Sequence, residues 1–328
     1  KVSCNWVPAP AAFASDTFDC STQDIAGANA MLDAAGYADT DGDGVDNTQD
    51  EYPLDPNKAF DVASTPGTIG FDDEWPAYGD FDYNDLIIDH SFSMVTNADN
   101  RVKAMKADFT IRAMGTAKRN GFGFQLPIGS DAVATVTGTE LTSGYINTDA
   151  KGLESGQSLP TIIVFDDGYD LMQPFESGDF INTQGGVRPV DEYTISIDVE
   201  FNWTQSYADL GDPPFNSFII IDGERGKELH AKGNKPTDLV DASYFGTEDD
   251  NSNVNSNRYY FMQNNMSWSF DIPATWDYPF EGTDVDLTYN YWTPWINSSG
   301  TTNQDWYGSS SGYRNEVNIY YPFGQGKK

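Results

Sequence analysis

Cysteine, histidine and positive charge are all scarce in this 328-residue chain, and each scarcity excludes something. Two cysteines, Cys4 and Cys20, cannot staple a disulfide-rich scaffold, and they lack the paired spacing of a zinc site. Only His90 and His230 remain to complete one, and both read as structural residues in or beside strands. One small disulfide loop is the use left for the cysteines. We expect a Cys4–Cys20 bond, which requires an oxidising compartment. Lysine and arginine number 18 against 51 aspartates and glutamates, for a net charge of −33. That charge repels nucleic acid and anionic lipid, so neither is an expected partner, whereas divalent cations are attracted. No stretch approaches the ~18 apolar residues of a membrane span, so membrane insertion is not expected. Neither His sits in a nucleophile motif such as G-x-S-x-G, and no phosphate loop or internal repeat is visible. With 51 acids, carboxylate pairs arise by chance and none stands out. We therefore expect no enzyme and no catalytic residues. The chain opens at Lys1 rather than Met and shows no signal peptide, which reads as a processed, exported, soluble protein.

Apolar material, by contrast, is ample. Hydrophobic residues make up 38% of the chain, with eight Trp, 18 Tyr and 20 Phe, enough for a large core. The segment "STQDIAGANAMLDAAGY" predicts a short helix from Thr22 to Ala35, capped by Ser or Thr and closed by Gly36. Past Phe60 the pattern turns strand-like. "RVKAMKADFTIRAM" and "DEYTISIDVEFN" alternate apolar and polar residues with period two, and "TIIVFDD" is a short buried run. "FIIIDGERGKELHA" predicts a hairpin turning at Asp222 to Gly226, and "EVNIYYPF" a closing strand. Some helical period returns near "DVDLTYNYWTPW". The fold class is mainly β, an antiparallel β-sandwich with long loops. Residues 1–38 form an N-terminal segment with the cysteines and the short helix, 39–60 an acidic loop, and 61–328 a β domain.

The acidic loop "DTDGDGVDNTQD" carries the sharpest signal. Counted from Asp39, acids stand at positions 1, 3, 5 and 12 (Asp39, Asp41, Asp43, Asp50), Gly44 at 6, Val45 at 7 and Asn47 at 9. Alternate residues of a tightly wound loop point to a common centre, where oxygens from 1, 3 and 5 and the Val45 carbonyl meet one Ca²⁺. Without the ion, crowded carboxylates repel. The following "EYPLDP" cannot continue as a helix, so the loop is closer to a thrombospondin type-3 or dockerin loop than to a sensor EF-hand. A second knot, "FDDEWPAYGDFDYNDLIIDHSF", places Asp80, Asp82, Asn84 and Asp85 together. Side chains at 80, 82 and 84 can again share a centre. The alternative is a polar turn whose Asp and Asn side chains bond their own backbone.

"FDDEWPAYGDFDYNDLIID" resembles the signature of the LruC-domain family of exported bacterial proteins. In that family a type-3-like calcium loop runs into an acidic, aromatic motif. "NGFGFQLP", "FNSFIII", "ELHAKGNKPT", "YFGTEDD", "WSFDIPATWDYPFE" and "DWY" agree in order, from Asn120 to Tyr307. Ser217 and Ala231 depart from the pattern, where a Pro and a larger apolar residue are expected. The resemblance implies a calcium-associated β domain, extracellular or on the bacterial cell surface, of the kind found in adhesins and other envelope proteins. Carried over residue by residue, it implies ligands at Asp39, Asp41, Asp43 and Asp50, then at Asp80, Asp82, Asn84 and Asp85.

Two uses compete. In the first, the chain is a structural subunit of an extracellular matrix or filament, such as a biofilm matrix, whose partner is a copy of itself. In the second it is an adhesin whose calcium-organised loops bind a surface glycan or peptide. Tyr289, Tyr291, Trp292, Trp295 and Trp306 would then line a stacking site, unless they are simply core.

Overall fold

A computed structural model describes residues 25–322. The expected Cys4–Cys20 disulfide lies outside these residues, as does the start of the first helix. The helix is described over Ile25–Ala34. It ends as the sequence predicts: the Tyr37 amide donates to the Leu32 carbonyl (2.9 Å) and the Gly36 amide to that of Asp33 (3.1 Å). These two bonds satisfy carbonyls that the last turn would otherwise leave without donors.

Among the described residues eleven strands follow, in two antiparallel sheets. The larger sheet runs in the order β11 (Ser269–Ile272), β2 (Gly67–Phe71), β3 (Leu86–Thr96), β4 (Val102–Ala113), β8 (Tyr193–Gln205), β6 (Val133–Thr137). β1 (Phe60–Ala63) pairs with the far end of β3, beyond the stretch that β2 occupies. The smaller sheet runs β10 (Glu228–His230), β9 (Asn216–Ile220), β5 (Gly121–Gln125), β7 (Thr161–Phe165). β9 and β10 form the predicted hairpin, pairing Ile220 with Glu228.

The period-two alternation of β8 has a direct reading: Ile195, Ile197, Val199 and Phe201 are buried while Thr194, Ser196 and Asp198 face solvent. The sheets meet through phenylalanines. Phe109 of β4 packs on Phe122 and Phe124 of β5 at 5.2 and 5.6 Å, and Phe92 of β3 reaches Phe124 at 6.3 Å. Each ring brings a large apolar area to the seam. β5 and β7 are buried throughout because a loop carrying Leu141, Tyr145 and Ile146 covers the outer face of the small sheet. Continuous apolar runs are what such doubly covered strands require.

The predicted closing strand in "EVNIYYPF" does not form. Glu316–Asn318 is a 3₁₀ turn, and only Ile319 makes a bridge, to Pro279. The local alternation is real, but a strand needs a partner edge. Here the pairing stops after two backbone bonds, Phe280 to Asn318 and Tyr320 to Tyr278, and the Tyr320 ring stacks on Tyr278 at 5.7 Å. The helical period near "DVDLTYNYWTPW" becomes two short helices, Val285–Thr288 and Trp292–Asn297. Among the described residues, no helix is long and apolar enough to cross a membrane.

Candidate metal centres

In the loop after the first helix, Gly42 and Gly44 take φ of +82° and +97°, left-handed values that cost glycine little. This tight winding turns Asp39, Asp41 and Asp43 towards one another, and each offers a carboxylate oxygen within 4.8 Å of the others. Amides organise the inner side: Asp39 accepts from Gly42 (2.7 Å) and Gly44 (3.0 Å), and Asp43 from Val45 (2.8 Å). Asn47 accepts from the Thr40 amide at 2.9 Å. Three carboxylate oxygens in this stretch, Oδ2 of Asp41, Asp43 and Asp50, are buried with no hydrogen-bond partner. Asp50 does not join the close group of three; its other oxygen accepts from the Tyr52 amide at 2.6 Å.

The second knot joins β2 to β3. In "DFDYN" the odd residues Phe81 and Tyr83 are fully buried, and both hold positive φ, 54° and 55°. Left-handed backbone at an aromatic residue costs on the order of 1–3 kcal/mol and persists only where its surroundings enforce it. The surroundings are specific. The Phe81 ring packs on Tyr78 (4.7 Å) and on Tyr83 (5.9 Å), the Tyr83 ring sits between Phe270 and Trp292, and the Tyr83 hydroxyl donates to the Ser267 carbonyl at 2.6 Å. With the odd positions anchored inside, the even positions, Asp80, Asp82 and Asn84, present their oxygens together.

The chain brings a fourth member from far away. Asp80, Asp82 and Glu281 offer carboxylate oxygens within 4.8 Å of one another. The Gly282 amide donates to Asp82 Oδ2 at 2.7 Å, and Asn84 Nδ2 donates to the Pro279 carbonyl at 3.2 Å, which ties the segment 279–282 to the knot. Asp82 and Asn84 are buried, Glu281 is half-buried and Asp80 is exposed, so the group forms a cup open on one side. Its electrostatics are unfavourable as they stand. Burial, reinforced by the charge on Asp80, pushes the Asp82 carboxyl up to about 9. Burial likewise pushes Glu281 up to about 7, with Asp80 adding to it, and raises Asp80 itself.

The structure thus brings together Asp80, Asp82 and Asn84, and separates Asp85 from them. The Asp85 side chain turns inward and accepts the Asp73 amide at 2.7 Å. Asp73 in turn pairs with Lys118 (2.8 Å) and accepts from Asn120 (2.6 Å). Glu281 was not singled out from the sequence, although it closes the quoted stretch "WSFDIPATWDYPFE"; one acid among 51 has no local mark.

Three of the five aromatic residues expected to stack on a ligand are core. Tyr289, Trp292 and Trp306 are at most 2% exposed, and Trp306 packs edge-on against Trp292 at 4.6 Å. Rings buried on both faces cannot receive a sugar. Of the five, Tyr291 and Trp295 alone keep partial exposure.

With this geometry in place, relatives can be compared. Residues 100–307, more than half of the chain, match a family described as "Domain of unknown function (DUF4842)". No curated protein matches. A solved structure described as "Putative lipoprotein from Bacteroides ovatus" superposes with a TM-score of 0.59 at 19% identity, over 80% of this chain and 76% of that one. At that identity the likeness concerns the fold.

Proposed function

We propose, from the premise that the chain belongs to the DUF4842 family, that it is a non-catalytic, calcium-binding structural protein of the cell surface or extracellular matrix, which associates with copies of itself. One observation carries the calcium reading. Asp39, Asp41 and Asp43 converge within 4.8 Å, while Oδ2 of Asp41 and of Asp43 is buried without a partner. A buried acceptor without a donor is costly, and a hard cation with six to eight oxygen ligands relieves several at once. Export is supported by the motif resemblance to LruC-domain proteins and by the lipoprotein description of the fold neighbour. Calorimetry with CaCl₂ tests the reading: the wild type binds calcium at this loop, and the D41N/D43N variant binds one ion fewer. Equal stoichiometry in the two proteins would remove its basis.

A second reading, a calcium-dependent adhesin, is favoured by one surface feature. A cleft of about 250 Å³ beside the acidic cup is lined by Tyr78, Asn264, Asp284, Asp286 and Asn297, and Tyr78 is 59% exposed. An exposed ring among hydroxyl-binding side chains suits a glycan or a peptide. Glycan-array binding that requires calcium and is lost in Y78A would favour this use over self-association.

A further inference from the structure

We propose that Asp80, Asp82, Asn84 and Glu281 form a second divalent-cation site, independent of the Asp39 loop, which clasps the β2–β3 loop to the segment 279–282. Acidic side chains alone would not carry this, since 51 of them guarantee clusters. The decisive atom is neutral. Asn84 is fully buried, and its Oδ1 has no hydrogen-bond partner although its Nδ2 is used on Pro279. Glu281 Oε2 is likewise buried and unpartnered. Both oxygens point to one place: a β-carbon added to Gly115 would lie 1.8 Å from Asn84 Oδ1 and 2.5 Å from Glu281 Oε2. A side chain at position 115 would therefore collide with both acceptors, and glycine lets them lie side by side.

The donor set selects the kind of ion. All four side chains offer oxygen and none offers nitrogen or sulfur, the preference of a hard cation. Carboxylate oxygens within 4.8 Å of one another are close enough to share one ion, and an all-oxygen set open to water on one side suits calcium. Four side chains leave coordination positions over. The exposed Asp80 places them on the solvent side, where water completes the shell.

The site joins residues about 200 apart in sequence. It thereby fixes the loop whose Phe81 and Tyr83 carry left-handed backbone, and gives that enforced conformation a purpose.

The test uses the full chain with its first loop already disabled. The D41N/D43N protein, titrated with CaCl₂ in metal-free buffer, should still bind calcium. Adding E281Q should weaken that remaining binding about tenfold or more, which corresponds to a loss of about 1.4 kcal/mol. Circular dichroism in chelator should be the same for both proteins. Adding G115A instead, whose β-carbon would push the Asn84 and Glu281 oxygens apart without removing either, should have the same effect. The proposal is overturned if the D41N/D43N protein binds no calcium, or if E281Q and G115A, folded in chelator, bind it as tightly as their parent. A failure of the first loop would appear separately, as a wild type with no more ions than D41N/D43N.

Discussion

Glu228 has no exposed surface, yet four donors surround its carboxylate. Thr237 donates through both its amide (2.9 Å) and its hydroxyl (2.5 Å), His230 approaches at 2.9 Å, and the Arg225 guanidinium bridges it to Glu154. Burial alone would raise this carboxyl; His230, Arg225 and Thr237 outweigh it and hold the group down to about 2. A folded-state value below the unfolded one stabilises the fold above pH ~4.5, and that contribution fades as pH falls towards 2. The shift is worth on the order of 3 kcal/mol. Glu228→Gln should therefore destabilise the protein by about that amount at pH 7, with a penalty that shrinks markedly by pH 3; thermal melts of both proteins at the two pH values decide it. A penalty independent of pH would mean that packing, not charge, holds the site. At this scale the sequence is a partial guide. Asp39, Asp41 and Asp43 are legible because their partners are two residues apart. Glu228 is not, although its donors are near in sequence, because what distinguishes it is its complete burial; Glu281 is not, because Asp80 and Asp82 lie about 200 residues away.

Strands with one wet face announce themselves, which is why β4 and β8 were readable from alternation alone. Breaks in pairing are harder to read. β1 and β2 lie end to end along one edge of β3, pairing Ala63 with Ser93 and Gly67 with His90, so the three residues 64–66 face only two. Pro66 stands in that gap, where its missing N–H does no harm. The stretch 39–59 is held to the sheet by few contacts. The Ala59 amide bonds the Thr96 carbonyl, the Tyr52 hydroxyl bonds Asp61, Lys106 reaches both, and Lys58 pairs with Glu200. Exposed ion pairs of this kind contribute little, so the fold of the loop itself should depend on calcium. We expect limited proteolysis to cut between residues 36 and 50 much faster in chelator than in calcium, while fragments starting near residue 60 remain resistant. Equal cleavage rates in the two conditions would show that the loop is held without the ion.

At the scale of the whole molecule, charge governs what a second copy can do. Two bodies of net charge −33 placed ~50 Å apart repel by ~90 kcal/mol in water without salt. At physiological salt the screening length is about 8 Å, so only charges near the contact still matter. Self-association therefore needs the contact region neutralised, and on the function proposed above that agent is calcium. The Asp39 loop closely follows the helix Ile25–Ala34, so the proposed ion would lie between that helix and the β domain. If the N-terminal segment reaches a neighbouring copy, removing the ion breaks the assembly without breaking the sheets, whose phenylalanine seam contains no metal ligand. We expect light scattering to show large species in calcium at physiological salt and monomers in chelator, with circular dichroism still reporting intact β-structure in the monomers. D41N/D43N should remain monomeric even in calcium. A wild type that stays monomeric at high concentration in calcium would refute the matrix-subunit reading and leave the adhesin.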